Sequence, residues 1–267
     1  FTGIIGESGE IVWDSEKAGA RDGYVLKNGN VLICWADEVK EYNKDKEVIL
    51  SYKRKEKSME LSTAVRLRNG NTMIVESGNT PKIIELNKNG KIVIEVPIIP
   101  ETDNIHMQTR MARKLKNGNY LTPHLLAFAV KEYTPTGKVV NSFNTAFDEF
   151  GGKDAKTWPF TAIRLKNGNT LVTLTNGNRV VELNTEGNIA WEINNSLYDE
   201  NPLVDPCGAQ RLPNGNTVIA SYGAQKGIKM FEVDADKNIV WTQTKYKAHH
   251  FQILTTNGKP IKGKPMK

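Results

Sequence analysis

Short runs of aliphatic and β-branched residues alternate along the chain with polar turns. Residues 64–67 lead into an Asn-Gly pair, and residues 72–75 leave it. Two further runs, residues 82–86 and 91–96, flank a second Asn-Gly pair. Runs of about five residues rich in Val and Ile predict strands, because an amphipathic helix needs a longer run with a 3.6-residue period. The pattern therefore predicts consecutive β-hairpins.

A phrase of the form Leu-x-Asn-Gly-Asn marks the first turn of each unit. It occurs five times, and a shorter copy, Thr-Asn-Gly-Lys, lies at residues 256–259. The first Asn of each pair is residue 28, 69, 117, 167, 214 or 257, so the spacing is 41 to 50 residues. Four strands at this period are typical of a β-propeller blade. Asn-Gly favours a type I′ turn, since both residues tolerate positive φ.

The two ends of the chain each supply half a unit. The C-terminus has a first hairpin around Asn257, and the N-terminus begins with an orphan second hairpin in residues 3–13. Pairing of about residues 1–14 with 248–261 would make a sixth blade and would remove free sheet edges. The sequence thus predicts an all-β fold, a single six-bladed β-propeller of four-stranded antiparallel blades spanning residues 1–267.

Composition excludes some functions. The chain has 267 residues, a formal net charge of +6 and 39% hydrophobic residues. It has no apolar run of about 18 residues, so no membrane span is expected. Many of the lysines fall on turns, which indicates a solvated rim rather than a nucleic-acid interface. The chain begins at Phe1 rather than Met, which favours a periplasmic, secreted or cell-surface protein.

The two faces of the predicted ring differ in their loops. The Asn-Gly turns lie on one face, and the opposite face carries the longer segments 97–108, 141–159 and 194–207. Binding and catalytic residues concentrate on such loops. Residues that begin the first strand or end the second strand of a blade should lie nearest the axis on this face. They are Trp35, Glu76, His106, Gln108, Arg110, His124, Trp158, Tyr222, His249 and His250.

Each candidate also has a structural interpretation. A histidine near a strand end is more often a hydrogen-bonded packing residue than a catalyst. Trp35 and Trp158 would fill the central channel, and Arg110 would pair with Glu76 or Asp103. No metal-ligand spacing is present, so no cofactor is predicted, although a metal or an anion held at the axis stays open.

The blade pattern resembles the quinoprotein-like propellers. Its signature is Leu-Pro-Asn-Gly-Asn-Thr combined with Gly-x-Ile-x-Trp on the last strand of a blade. Within that superfamily the chain resembles the propeller of bacterial arylsulfotransferases. Residues 249–254 (HHFQIL), which lead into Asn-Gly, are similar to that family's His-His segment. His106, which precedes Asn117, is similar to the family's other histidine at a strand entry.

The resemblance implies a site and a reaction. In that family a histidine takes a sulfuryl group from a phenolic sulfate and passes it to another phenol. The resemblance makes His249, His250 and His106 the candidate catalytic residues, with His124 and Arg110 binding the anion. A quinone cofactor is not expected, because the quinone-dependent members resemble larger rings and this chain has no adjacent Cys pair.

Two classes of function are open at this point. In the first, the propeller binds a small molecule, a glycan or a protein on its loop-rich face near the channel. In the second, it is a group-transfer or hydrolytic enzyme that uses the axial histidines. Convergence of His106, His124 and His249 or His250 around one pocket would favour the enzyme.

Overall fold

The computed structural model describes residues 1–261 of the protein. Antiparallel sheets of four short strands follow one another along the chain, which is the architecture of a β-propeller. The strands of each sheet pair in chain order, and we call them a to d from the axis outward. No helix in the described residues is long and apolar enough to cross a membrane.

The strand bounds are as follows. The chain begins with a hairpin of β1 (Gly3–Ile5) and β2 (Ile11–Asp14). Blade 1 contains β3 (Asp22–Val25), β4 (Val31–Cys34), β5 (Glu38–Tyr42) and β6 (Val48–Lys53). Blade 2 contains β7 (Glu60–Arg66), β8 (Thr72–Ser77), β9 (Lys82–Leu86) and β10 (Ile92–Pro97). Blade 3 contains β11 (Arg113–Lys114), β12 (Tyr120–His124), β13 (Ala129–Tyr133) and β14 (Val139–Asn144).

Blade 4 contains β15 (Thr157–Arg164), β16 (Thr170–Asn176), β17 (Arg179–Leu183) and β18 (Ile189–Asn194). Blade 5 contains β19 (Pro206–Arg211), β20 (Thr217–Ser221), β21 (Met230–Val233) and β22 (Ile239–Gln243). The described chain ends with β23 (Thr255–Thr256) and β24 (Lys259–Pro260). Short 3-10 turns interrupt the loops at Ile105–Met107, Asp148–Phe150, Gly152–Ala155 and Asn195–Leu197.

The hydrophobic core lies between neighbouring blades. One cluster joins Leu32 and Cys34 of blade 1 to Ile74 and Ile84 of blade 2, all fully buried. The inner strands are covered on both faces, so every residue of β8 is buried. The outer strands are covered on one face, and β10 alternates between more and less exposed residues as a half-buried strand does.

The predicted blade count was wrong. Residues 1–261 form five four-stranded blades and two separate two-stranded hairpins, one at each end. The terminal hairpins meet through side chains instead of a shared ladder. Glu7 accepts hydrogen bonds from Thr255 Oγ1 at 2.6 Å and from the Gly258 N–H at 2.9 Å. The physical reason is that β23 and β24 have two residues each, and β24 ends at Pro260, which has no N–H to donate to a ladder.

The C-terminal segment nevertheless bridges blade 5 to blade 1. Its Gln252 Oε1 accepts a hydrogen bond from the Val25 N–H at 2.9 Å. Its Ile253 N–H donates to Gln210 Oε1 at 3.0 Å. Gly208 permits the close approach, because a Cβ there would lie 2.8 Å from the carbonyl oxygen of His249. Side chains therefore close the gap where a sixth blade was expected.

The Asn-Gly turns also differ from the expected type I′. In the five complete blades only the glycine adopts positive φ, with values from 86° at Gly29 to 96° at Gly215. The Gly29 N–H bonds to the Leu26 carbonyl at 3.0 Å, and the Leu26 N–H bonds to the Asn30 carbonyl at 2.8 Å. This is a three-residue loop, a type I turn followed by a left-handed glycine. The shorter copy at Asn257 (φ 53°) has the expected pair of positive φ angles.

A buried glutamate on strand c links each blade to the next. In blade 2, Glu85 accepts a hydrogen bond from Asn71 Nδ2 at 3.0 Å. It also accepts from Lys114 Nζ at 2.5 Å and Tyr120 Oη at 2.6 Å, both in blade 3. Burial alone raises the pKa of Glu85, but the bonds from Lys114, Tyr120 and Asn71 lower it below the usual value. Because Asn71 ends the turn phrase, the repeat itself supplies one of the partners.

The same arrangement recurs at three further junctions between blades. Its glutamates are Glu41, Glu132 and Glu182. Each glutamate pairs with an arginine of the following blade, respectively Arg66, Arg164 and Arg211. In each case the cation stands three residues before the first Asn of the Asn-Gly pair in its own blade. The equivalent position in the C-terminal segment is Leu254. Glu232 of blade 5 accordingly has its turn partner Asn216 at 2.6 Å but no ion pair within residues 1–261.

Lys114→Met should lower the free energy of unfolding by about 1–3 kcal/mol, because Glu85 then stays buried without its cation. The folded-state pKa of Glu85 is depressed, so its stabilising contribution is complete above about pH 4.5 and is lost as the pH falls through the folded pKa. Urea unfolding at pH 7 and pH 3 should therefore show a difference between wild type and variant that shrinks on acidification.

The control is Lys88→Met, which removes an exposed turn lysine and should change stability by less than about 0.5 kcal/mol. Equal losses in the two variants would contradict a special role for the buried pair.

Candidate functional site

Side chains from all five blades and from the C-terminal segment converge where the inner strands begin. We call this group the axial cluster, and its members are Arg21, Glu60, His106, Arg110, Phe160, Tyr222 and His249. The cluster lies at the ends of the blades opposite the Asn-Gly turns, because each strand a runs from it into such a turn. It therefore lies on the loop-rich face.

An ionic group forms one side of the axial cluster. Arg21 Nη1 lies 2.7 Å from Glu60 Oε2, and His106 Nδ1 lies 3.1 Å from the same oxygen. His106 Nδ1 also lies 3.4 Å from Arg21 Nη2. The hydrogen bond with His106 and the pair with Arg21 outweigh burial and lower the pKa of Glu60 to about 2. Glu60 is therefore ionised at neutral pH.

Arg110 forms the floor of the axial cluster. Its relative exposure is 3%, and its Nη1 donates to the Thr109 carbonyl at 2.7 Å. The guanidinium carbon lies 6.0 Å from the centre of the Phe160 ring. Burial, together with the positive charge of Arg21, lowers the pKa of Arg110 to about 10. Within residues 1–261 no carboxylate forms an ion pair with this buried cation.

A strained backbone turns Arg110 toward the axis. Strand alternation would place Arg110 and Arg113 on opposite faces. Met111 between them has φ 37°, however, in the left-handed region that a side chain other than Gly rarely adopts. The strand is consequently short, and Arg113 reaches across to Asp22 of blade 1, with Nη1 3.4 Å from Oδ2. Both arginines thus point inward.

A stack of rings forms the opposite wall. The His249 ring lies 3.6 Å from Tyr222 and 5.8 Å from Phe160, measured between ring centres, and is nearly parallel to both. Lys247 Nζ lies 5.1 Å from the Tyr222 ring centre, so cations stand at both ends of the stack. Burial and the charges of Arg110 and Arg21 lower the pKa of His249 to about 4. The imidazole is therefore neutral at pH 7.

His250 occupies a different and more buried place. Its side chain is 2% exposed, and its Nε2 lies 3.4 Å from Asp22 Oδ1. Its ring centre lies 5.3 Å from that of Tyr24, and the Arg113 guanidinium carbon lies 5.7 Å from the same ring. Adjacent histidines thus have separate environments, since His249 faces the axial cluster and His250 faces a buried charge network.

Three predicted site residues lie in contacts between loops and blades. His124 is 1% exposed, with Nδ1 2.7 Å from Glu101 Oε2 and Nε2 3.0 Å from Tyr133 Oη. Gln108 forms two hydrogen bonds with the backbone of Gly78, both at 2.9 Å. Its Oε1 accepts from the Gly78 N–H, and its Nε2 donates to the Gly78 carbonyl. Glu76 is fully buried and accepts a hydrogen bond from a tyrosine of blade 1 at 2.5 Å. None of these three touches the axial cluster within the described residues.

The two predicted tryptophans differ from each other. Trp35 is 2% exposed and packs with Trp13 of the N-terminal hairpin, and its Nε1 donates to the Lys17 carbonyl at 3.2 Å. Trp158 packs against Phe160 and Met111, next to the axial cluster. Trp35 therefore anchors the N-terminal hairpin, whereas Trp158 supports the site.

The repeat register contains a signal that the candidate list missed. When the copies are aligned on Asn-Gly, one position lies seven residues before the first Asn of each pair. The residues at this position are Arg21, Ser62, Arg110, Phe160, Cys207 and His250. Aligning the copies on Asn-Gly would have added Arg21 and Phe160 to the candidates. Glu60 lies two residues earlier in its repeat, so the alignment does not find it.

Other features of the surface lie apart from the axial cluster. A groove of about 330 Å³ is lined by Arg179 and Asn194, and one of about 310 Å³ by Tyr198 and Ile239. Both lie on the outer parts of blades 4 and 5. In residues 1–261 no three His, Cys, Asp or Glu side chains are placed to hold a metal ion.

Comparison with solved structures shows the same fold. A Bacteroides caccae protein of unknown function matches with a TM-score of 0.77 and 23% identity, over 90% of this chain and 87% of that one. Virginiamycin B lyase from Staphylococcus aureus matches with a TM-score of 0.60 and 16% identity, over 91% and 72%. A luciferin-regenerating enzyme matches with a TM-score of 0.58 and 13% identity, over 80% and 74%. At these identities the likeness shows the propeller fold.

Sequence comparison identifies the family. A search of curated proteins returns no match. Residues 1–201 match the family described as Mal s 1 allergenic protein-like. The chain therefore belongs to that family.

The His249 imidazole should titrate near pH 4, against 6.5 for an unperturbed ring. Because the folded-state pKa is depressed, His249 contributes stability that is complete above about pH 6.5 and is lost as the pH falls toward 4. NMR titration of the histidine ring protons measures the midpoint. His249→Phe keeps a ring in the stack, identifies the resonance and should flatten the stability profile in that range. A midpoint near 6.5 would show that the ring is solvated outside the stack.

Proposed function

We propose that this member of the Mal s 1 allergenic protein-like family binds a small organic anion at the axial cluster. The observation that carries the proposal is Arg110, a buried guanidinium for which residues 1–261 supply no ion-pairing carboxylate. A buried charge without a counter-ion is costly, and the carboxylate or sulfate of a ligand would offset that cost. Arginine also presents a planar fork of donors that suits such groups.

The surroundings of Arg110 suit a ligand with a planar apolar part. Tyr222, His249 and Phe160 present stacked rings beside the guanidinium. Small-molecule sites typically combine such apolar walls with a few polar groups that orient the ligand. The approach is from the loop-rich face, where the His106 side chain is 61% exposed. Arg110 would thus hold the charged end while the rings pack against the remainder.

One structural neighbour has been solved with a small molecule. One Staphylococcus aureus virginiamycin B lyase structure is a catalytically inactive variant, with a histidine replaced by alanine, together with quinupristin. It is an example of a small molecule with a propeller of this kind. Its 17% identity assigns no residue in the present chain, so the proposal depends on the axial cluster alone.

Arg110→Met should weaken binding of benzoate or phenyl sulfate by about tenfold to a hundredfold, the loss expected when one charged hydrogen-bonding partner is removed. Isothermal titration calorimetry at pH 7 measures the affinity. The matched control is Arg68→Met, which removes an exposed arginine from a turn on the opposite face. Equal affinities in wild type and Arg110→Met would overturn the proposal.

A second candidate function is group transfer by His249. The observation that favours it is a neutral imidazole whose pKa is lowered by burial and by the nearby guanidinium groups of Arg110 and Arg21. A ring nitrogen lone pair would attack the sulfur of an aryl sulfate, forming an N–S bond while the S–O bond to the aryl group breaks and the phenolate leaves. The arginines would stabilise the charge on the sulfuryl oxygens. His250 is not placed for this role, because its Nε2 lies 3.4 Å from Asp22 Oδ1 in the buried charge network outside the axial cluster.

Incubation with 4-nitrophenyl sulfate should then release 4-nitrophenolate and leave the mass of one sulfuryl group on the protein. Peptide mapping should place the group on His249, and His249→Gln should abolish it. Intact-mass spectrometry after rapid acid quenching measures the adduct. Binding without any adduct or phenolate release would reject group transfer and leave the binding function in place.

A further inference from the structure

Glu60 already neutralises one of the two guanidinium groups in the axial cluster. Its Oε2 lies 2.7 Å from Arg21 Nη1 and 3.1 Å from His106 Nδ1. The Arg21 side chain is 12% exposed and the Glu60 side chain 24%, so bulk solvent only partly screens the pair. The pairing leaves Arg110 as the guanidinium that still lacks a carboxylate partner.

The field of Glu60 also reaches Arg110. Its negative charge favours the charged form of the Arg110 guanidinium, although no direct ion pair forms. Asp205, the carboxylate whose charge acts on His249, is held by the end of β16, where its Oδ1 accepts hydrogen bonds from Thr175 Oγ1 and from the Asn176 N–H. Glu60 is therefore the carboxylate of the axial cluster whose negative charge would act on a ligand held by Arg110.

We infer that Glu60 is a specificity-determining residue that restricts the axial cluster to ligands with a single negative charge, carboxylates or sulfate esters, and excludes dianionic phosphate esters. One negative charge balances Arg110. A second would lie close to Glu60 in a partly buried site, where like charges repel more strongly than in water. The inference rests on the proposed function and narrows its ligand class.

Phenyl sulfate and phenyl phosphate test this inference, because they share the ring and differ in charge. A phosphate monoester has a second pKa of about 6, so phenyl phosphate is a dianion at pH 8 and largely a monoanion at pH 5. Wild type at pH 8 should bind phenyl sulfate at least about tenfold more tightly than phenyl phosphate. Glu60→Gln should remove most of that ratio by strengthening phosphate binding. Asp103→Asn, which neutralises an exposed carboxylate on the same face, should leave the ratio unchanged.

Wild type alone supplies a second test if Glu60→Gln does not fold. The ratio of the two affinities should approach one between pH 8 and pH 5, with phenyl sulfate as the internal reference, as the phosphate becomes a monoanion. Equal affinities at pH 8, or an unchanged ratio in Glu60→Gln, would overturn the inference and leave the proposed function standing. No binding of either ligand, or binding that Arg110→Met does not weaken, would overturn both.

Discussion

The propeller depends on a carboxylate buried at the same place in strand c of successive blades. A buried charge is tolerated where it is paired and hydrogen-bonded, and the glutamates of blades 1 to 4 each have an amide from their own turn and a cation from the next blade. Glu85 shows the full set, with Asn71 on one side and Lys114 on the other. The requirement ties the last residue of the turn phrase to the packing of a neighbouring sheet. The repeated sequence therefore specifies both the hairpin and the junction between blades.

The blades themselves were predictable because turn chemistry and strand periodicity agree in each copy. The number of blades was not predicted correctly, because the prediction was based on the number of turns and not on the residues that join one blade to the next. Leu254 stands where four other junctions have Lys or Arg, and Pro260 ends the two-residue strand β24. The predicted turn type was wrong because it considered only the Asn-Gly pair. The residue after the glycine, such as Asn30, pairs with the leucine that begins the phrase and closes a loop of three residues.

The site was predictable in part. The rule that selects strand ends near the axis chose His249, Arg110 and Tyr222, and these residues lie in one neighbourhood of the structure, with His106 close by. The rule fails where a residue's direction depends on its neighbours, as at His124, which turns away from the axis toward Glu101. No periodic pattern could place a residue whose position depends on a left-handed neighbour or a β-bulge, because both interrupt the alternation on which such patterns depend.

The stack that runs from Arg110 to Lys247 joins the beginning of the third blade to the end of the described chain. Its central ring, His249, follows all five blades in the chain, so during synthesis this wall cannot form until residue 249 has been made. The contact of Gln252 with Val25 spans 227 residues, and loop closure over such distances is slow. A chain interrupted before residue 249 would thus hold folded blades without this wall of the axial cluster, and the complete stack would report that all five blades have been made.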